Sequence, residues 1–109
     1  MATGRLGTAN ITTTANTSVY TVPASTFAVV SVSIANRSSS AAANVRIALA
    51  SAGTPGNDEY LEYDSSLVAN GVLERTGIVM DAGKILVVQT PTAASTLSVV
   101  VMGIETSTA

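Results

Sequence analysis

The clearest alternation in the chain runs from Phe27 to Asn36, FAVVSVSIAN. Ala28, Val30, Val32 and Ile34 fall on one face by period two. Ser31, Ser33 and Ala35 fall on the other, with Phe27 and Val29 at its start. That pattern predicts a half-buried antiparallel strand. Val45, Ile47 and Leu49 alternate in the same way with Arg46, Ala48 and Ala50. Leu97, Val99, Val101 and Gly103 alternate with Ser98, Val100, Met102 and Ile104. Ser18 to Val22 predicts a short strand stopped at Pro23, which has no N–H for a ladder.

Between Tyr60 and Gln89 the strands are separated by turn residues. Tyr60 to Tyr63 is a short strand, and Ala69-Asn70-Gly71 is a turn, because Asn and Gly tolerate positive φ. Val72 to Met80 is a strand bent or bulged at Gly77. Asp81-Ala82-Gly83 reads as a hairpin connection with Gly83 in the left-handed conformation. Ile85 to Val88 is a continuous apolar run, as expected of a strand buried on both faces. No stretch carries a helical period. Seven or eight short strands at roughly 8–12-residue spacing predict an all-β, antiparallel β-sandwich, Ig-like or jelly-roll-like.

The domain organisation follows from the same pattern. Residues 18–105 form the β-sandwich domain. Residues 1–17, poor in large apolar side chains, form an N-terminal arm or edge strand, and 106–109 a polar C-terminal tail. The loops 38–43, 51–57 and 90–96 are built of small and turn-forming residues.

Composition adds two constraints. The 109 residues are 47% hydrophobic but only 4% aromatic, so the core is aliphatic. Only 11% are charged, well under the usual ~25%. The surface is therefore Ser, Thr, Ala and Asn, which suits either Thr-rich outward faces or a subunit covered by neighbours, since weak charge lowers the cost of desolvation. The net charge is −2 and the basic residues Arg5, Arg37, Arg46, Arg75 and Lys84 are scattered, so no nucleic-acid partner is expected. No apolar run reaches the length of a membrane-spanning helix, and no membrane partner is expected. The segment MATGRLGTAN lacks the apolar stretch of a signal peptide.

Candidate chemistry is sparse. There is no His and no Cys, so the commonest general base and the thiolate nucleophile are absent. Lys84 is the only lysine and sits in a turn. The chain is expected not to be an enzyme, and no cofactor is expected. Asp58, Glu59, Glu62 and Asp64 could offer hard oxygens to Ca²⁺. Their spacing is not that of an EF-hand, and the alternative is a set of rim carboxylates that keep an edge strand soluble. No metal ligands are assigned. Tyr20, Tyr60 and Tyr63 suit an interface, because tyrosine joins a large apolar face to a polar tip; packing at the ends of their own sandwich is the other reading. A sugar platform is disfavoured by the lack of Trp. In the N-terminal arm Arg5, Leu6 and Ile11 are candidates for contact with another copy or a shell subunit through strand addition.

Three segments carry a resemblance: VYTVPASTFAVVSVSIANR from Val19, VRIALA from Val45, and EYLEYDSSLVANGVLERTGIVMDAGKILVV from Glu59. Together they span most of the chain from about Ser18 to Glu105. They resemble small β-sandwich structural proteins of tailed-bacteriophage virions. The shared motifs are turns and strand patterns and include no catalytic signature. The resemblance implies a non-enzymatic virion protein, foremost a capsid decoration or cement protein on the capsid surface. Its implied partners are other copies of itself, commonly as a trimer, and the major capsid protein. A tail, baseplate or neck accessory is the alternative. A receptor- or glycan-binding fibre module is a third, disfavoured because the loops carry no aromatic residues.

Overall fold

The computed structural model describes residues 3–91 and 96–108. Among them are eight strands: β1 (Thr3–Ile11), β2 (Thr17–Thr21), β3 (Thr26–Asn36), β4 (Ala43–Ala50), β5 (Tyr60–Leu67), β6 (Val72–Met80), β7 (Ile85–Gln89) and β8 (Leu97–Ser107). They form two four-stranded sheets, ordered β1-β8-β3-β6 (sheet A) and β2-β7-β4-β5 (sheet B), and every pairing is antiparallel. The ladders β4·β5, β3·β6, β2·β7 and β1·β8 describe one long hairpin, folded over so that its legs alternate between two layers. This is the jelly-roll solution to the sandwich, and it decides between the two topologies left open by the sequence.

The alternation in β3 and β8 places the core. Ala28, Val30, Val32 and Ile34 face inward from β3, and Leu97, Val99 and Val101 from β8; all are buried. Sheet B answers with Val45, Ile47, Leu86 and Val88. Ile85 to Val88 is buried on both faces as predicted, for Val87 is covered on the outer side as well.

The two sheets differ between centre and edge. The central pairings β3·β8 and β4·β7 keep an unbroken register. Each edge strand carries an extra residue: Leu6 in β1, Val19 in β2, Leu61 and one of Tyr63/Asp64 in β5, and one of Thr76/Gly77 in β6. Gly77, at φ +69°, supplies the bulge expected of it. Asp64 does the same at φ +57°, a conformation aspartate tolerates better than most residues. Leu6 and Leu61 pack against the core, and Val19 and Tyr20 are both buried. The bulges therefore turn extra apolar side chains into the flanks of the sandwich.

The flanks close in two ways. On one side β1 lies so near β2 that a Cβ at Gly7 would fall on the Val19 carbonyl. On the other, Arg75 of β6 reaches across to Glu62 of β5, 2.7 Å between Nη1 and Oε2. Ser65 also hydrogen-bonds the Glu62 carboxylate through its hydroxyl.

Several expectations are corrected. The Asp81–Lys84 turn is present, with Gly83 at φ +81° and Lys84 N–H donating to the Asp81 carbonyl at 3.2 Å. It is not a hairpin: β6 belongs to sheet A and β7 to sheet B, so the turn crosses between layers. Val22 holds it there through two backbone hydrogen bonds, to Lys84 O and from Gly83 N. The strand begun at Tyr60 continues to Leu67. In β4, Leu49 is only half-buried while Ala48 and Ala50 are fully buried, so both faces of this strand are covered near its end. Residues 3–11 take the edge-strand alternative of the two given for the N-terminal segment, paired along β8, and β8 itself continues to Ser107. Of the segments assigned at the ends and in loops, Met1, Ala2, residues 92–95 and Ala109 lie outside the described residues.

Candidate assembly surfaces

With the core filled by both inner faces, two broad outer faces remain. On sheet A, direct cross-strand neighbours form rows. One row is Thr3–Ile104–Val29–Val79, reading across all four strands. The next is Arg5–Met102–Ser31, and the one after it Thr8–Val100–Ser33–Glu74. Phe27 pairs with Thr106 on the other side of the first row. Phe27, Val29, Val79, Met102 and Ile104 are exposed by 37–65%. They are contiguous through the register, and no other element of the described chain lies over them. Contiguity distinguishes this patch from the single exposed apolar residues that every surface carries.

Sheet B has outward apolar residues too, but covers them. Ala48, Ala50 and Val87 form a small buried cluster on its outer side, with Tyr60 and Ile85 packed over it. Tyr60 and Tyr63 meet edge to face, centroids 4.9 Å apart. The Arg46 guanidinium lies over the Tyr63 ring, 4.1 Å from its centroid. The Asp64 bulge puts its carboxylate against the same guanidinium, with Nε and Nη2 donating at 2.6 and 3.2 Å. Arg46 also donates to Gln89 at 3.4 Å, and Gln89 donates to the Thr14 carbonyl at 2.9 Å. A polar strap thus runs over β5, β4 and β7 to the β1–β2 loop. Hydrogen bonding to Arg46 holds the Asp64 carboxyl below its usual range and raises Arg46.

The predicted site residues divide between these places. Arg5 is exposed on the outer face of sheet A, beside Met102. Tyr63 is 58% exposed on the outer face of sheet B, and Tyr60 is half-buried beneath it. Leu6, Ile11 and Tyr20 are not surface anchors. Leu6 packs on the core from its bulge, and Ile11 is 2% exposed at the end of β1. Tyr20 is buried and donates its hydroxyl to Glu105 at 2.5 Å. Burial, and then the Glu105 carboxylate, push its pKa upward. This is the end-of-sandwich packing that was the other reading of the tyrosines.

The acidic group is dispersed. Glu59 caps its own loop, accepting from Gly56 N at 2.7 Å and from Ser51 N and Oγ, and the Gly56 bond foremost lowers its pKa. Glu62 goes to Arg75 and Asp64 to Arg46. No group of three or more His, Cys, Asp or Glu side chains is gathered for a metal among the described residues. Lys84 pairs with Asp81, 3.1 Å away, and that bond lowers the Asp81 carboxyl. Among the described residues, Asn36 is a buried polar side chain with a large role that the pattern did not reveal. Its amide donates to the carbonyls of Ala41, Leu67 and Val68 and accepts from Ser38 N, tying the β3–β4 loop to the β5–β6 turn. Its duty is structural. The only sequence hint is an Asn at a strand end before a run of small residues.

No protein-family model matches the chain, and no curated protein matches it.

Proposed function

We propose that this chain is a non-enzymatic structural protein of a tailed-phage virion, a capsid decoration protein that bridges neighbouring shell subunits. The observation that supports it best is the apolar row Thr3–Ile104–Val29–Val79, left open on a broad, weakly charged face. A protein used singly gains nothing from such a face, whereas one placed between neighbours gains from burying it. The paucity of charge works the same way, since little hydration is lost on packing. Each contact can be weak, because repetition around a symmetry axis multiplies it. The resemblance of residues 18–105 to phage β-sandwich proteins supplies the particular setting.

The test is abundance and attachment. Quantitative mass spectrometry of purified particles should find the chain in numbers comparable to the shell's capsomers, and purified protein should rebind shells stripped of it. A copy number matching a single tail or neck ring would move the protein to the tail. Absence from particles would overturn the reading.

A further inference from the structure

We infer that the outer face of sheet A is a two-fold interface on which a second copy of this chain seats. The inference rests on reading that face as an assembly surface and specifies its occupant. All four edge strands are bulged, while the central pairings are regular. Bulged edges are poor templates for strand addition, so growth of the sheets through β1 or β6 is disfavoured. The edge-pairing route expected for the N-terminal segment is therefore disfavoured relative to the faces.

Sheets pack face to face with their strands within about 30° of each other. A two-fold axis along the strands, placed between β8 and β3, sets β8 over the partner's β3 and β1 over its β6. Each row then lies over itself reversed. Ile104 meets Val29 of the second copy, and Val79 meets Thr3. Met102 meets Ser31, and Phe27 meets Thr106. Each such pair sets a larger side chain over an equal or smaller one, as interdigitating layers require.

Arg5 and Glu74 stand on the two opposite edges of this face, one row apart. Neither has an ion-pair partner among the described residues. The same axis brings Arg5 of each copy to within one row of Glu74 of the other, about 6.8 Å along the strand, a span both side chains bridge. The axis perpendicular to the strands makes no such pair. A two-fold contact of this kind is self-complementary, as isologous interfaces are. With strands about 4.8 Å apart, the patch measures roughly 15 × 20 Å, less than a tight dimer uses, so monomer and dimer should exchange with concentration.

The experiment is charge exchange, read by analytical ultracentrifugation of the full chain from micromolar to near-millimolar concentration. Wild type should show a reversible monomer–dimer equilibrium. Arg5→Glu and Glu74→Arg should each weaken it by about tenfold or more, since each replaces two attractive pairs with two repulsive ones. An equimolar mixture of the two variants should recover association as a heterodimer, and the doubly exchanged R5E/E74R chain should recover it alone. Circular dichroism and melting should be unchanged throughout, because both positions are exposed. A wild type that stays monomeric overturns the pairing, as does a dimer indifferent to the single exchanges or not rescued by mixing. Rebinding to stripped shells separates the two readings. A monomer that attaches to shells through Val29 and Ile104 removes only the self-pairing, and one that attaches to nothing removes the assembly reading too.

Discussion

The two outer faces obey the same alternation rule and end differently. Sheet B turns Ala48, Ala50 and Val87 outward and buries them against Tyr60 and Ile85, with Tyr63, Arg46 and Asp64 linked to Tyr60 beside them. Sheet A turns Val29, Val79, Met102 and Ile104 outward and leaves them open. The hydrophobicity of a strand's outer positions therefore does not mark a partner surface by itself. What matters is whether the chain supplies its own cover. In sheet B the cover comes from the edge strand β5, whose extra residues swing Tyr63 and Asp64 onto one guanidinium. The bulges of the sheet A edge strands fall at Leu6, which packs against the core, and at Thr76/Gly77, and neither covers the outer face.

This contrast orders the expected effects of substitution. The inner faces should be alike. Ile34→Ala in sheet A and Ile47→Ala in sheet B, both at 0% exposure, should each cost ~2–5 kcal/mol in chemical denaturation. A loss below about half a kilocalorie at either would mean that strand's register is wrong. The outer faces should diverge. Val87→Ala should cost about 1–3 kcal/mol because its site is closed on both sides, while Val29→Ala should stay within about 0.5 kcal/mol in the monomer. Equal losses at the two positions would erase the distinction between covered and open faces.

Titration sharpens the same contrast more gently. Because Arg46 depresses the Asp64 carboxyl, that pair stabilises the fold above the ordinary carboxylate range and ceases to as pH falls through the folded-state value. The gap in denaturation midpoint between wild type and Asp64→Asn should therefore close below about pH 4. Tyr20 works with the opposite sign. Its raised pKa favours folding below the ordinary tyrosine value, an advantage lost as pH rises past about 10. Tyr20→Phe should accordingly hold its stability further into alkali than wild type.

The central strands were legible because they are regular. Period two sorted β3 and β8 into the two faces that the structure shows, Gly77 announced a bulge and Gly83 a left-handed turn residue. Reading failed where the period breaks. A bulge adds one residue and sends neighbours such as Val19 and Tyr20 inward together, so Tyr20 looked like a surface anchor. For residues 3–11 the sequence left arm and edge strand both open, because Leu6 and Ile11 are their only large apolar side chains. Their order comes from a backbone ladder with β8, some ninety residues away in sequence, which leaves no local mark. Turn chemistry likewise specifies a reversal at Asp81–Lys84 but not whether the next strand joins the same sheet or the opposite one. The open face was half legible. Phe27 and Val29 stood out on the polar side of β3, but only the register aligned them with Ile104, Met102 and Val79.

The central claim is that sheet A's outer face is covered in the assembled protein and sheet B's is complete without help. Hydroxyl-radical footprinting tests both halves at once, since each face exposes reactive side chains. Met102 and Phe27 report on sheet A, and Tyr63 on sheet B. Labelling should be compared between dilute monomer and the concentrated or particle-bound chain. Met102 and Phe27 should become protected on assembly while Tyr63 is labelled as before. Protection of Tyr63 with Met102 and Phe27 unchanged would contradict it.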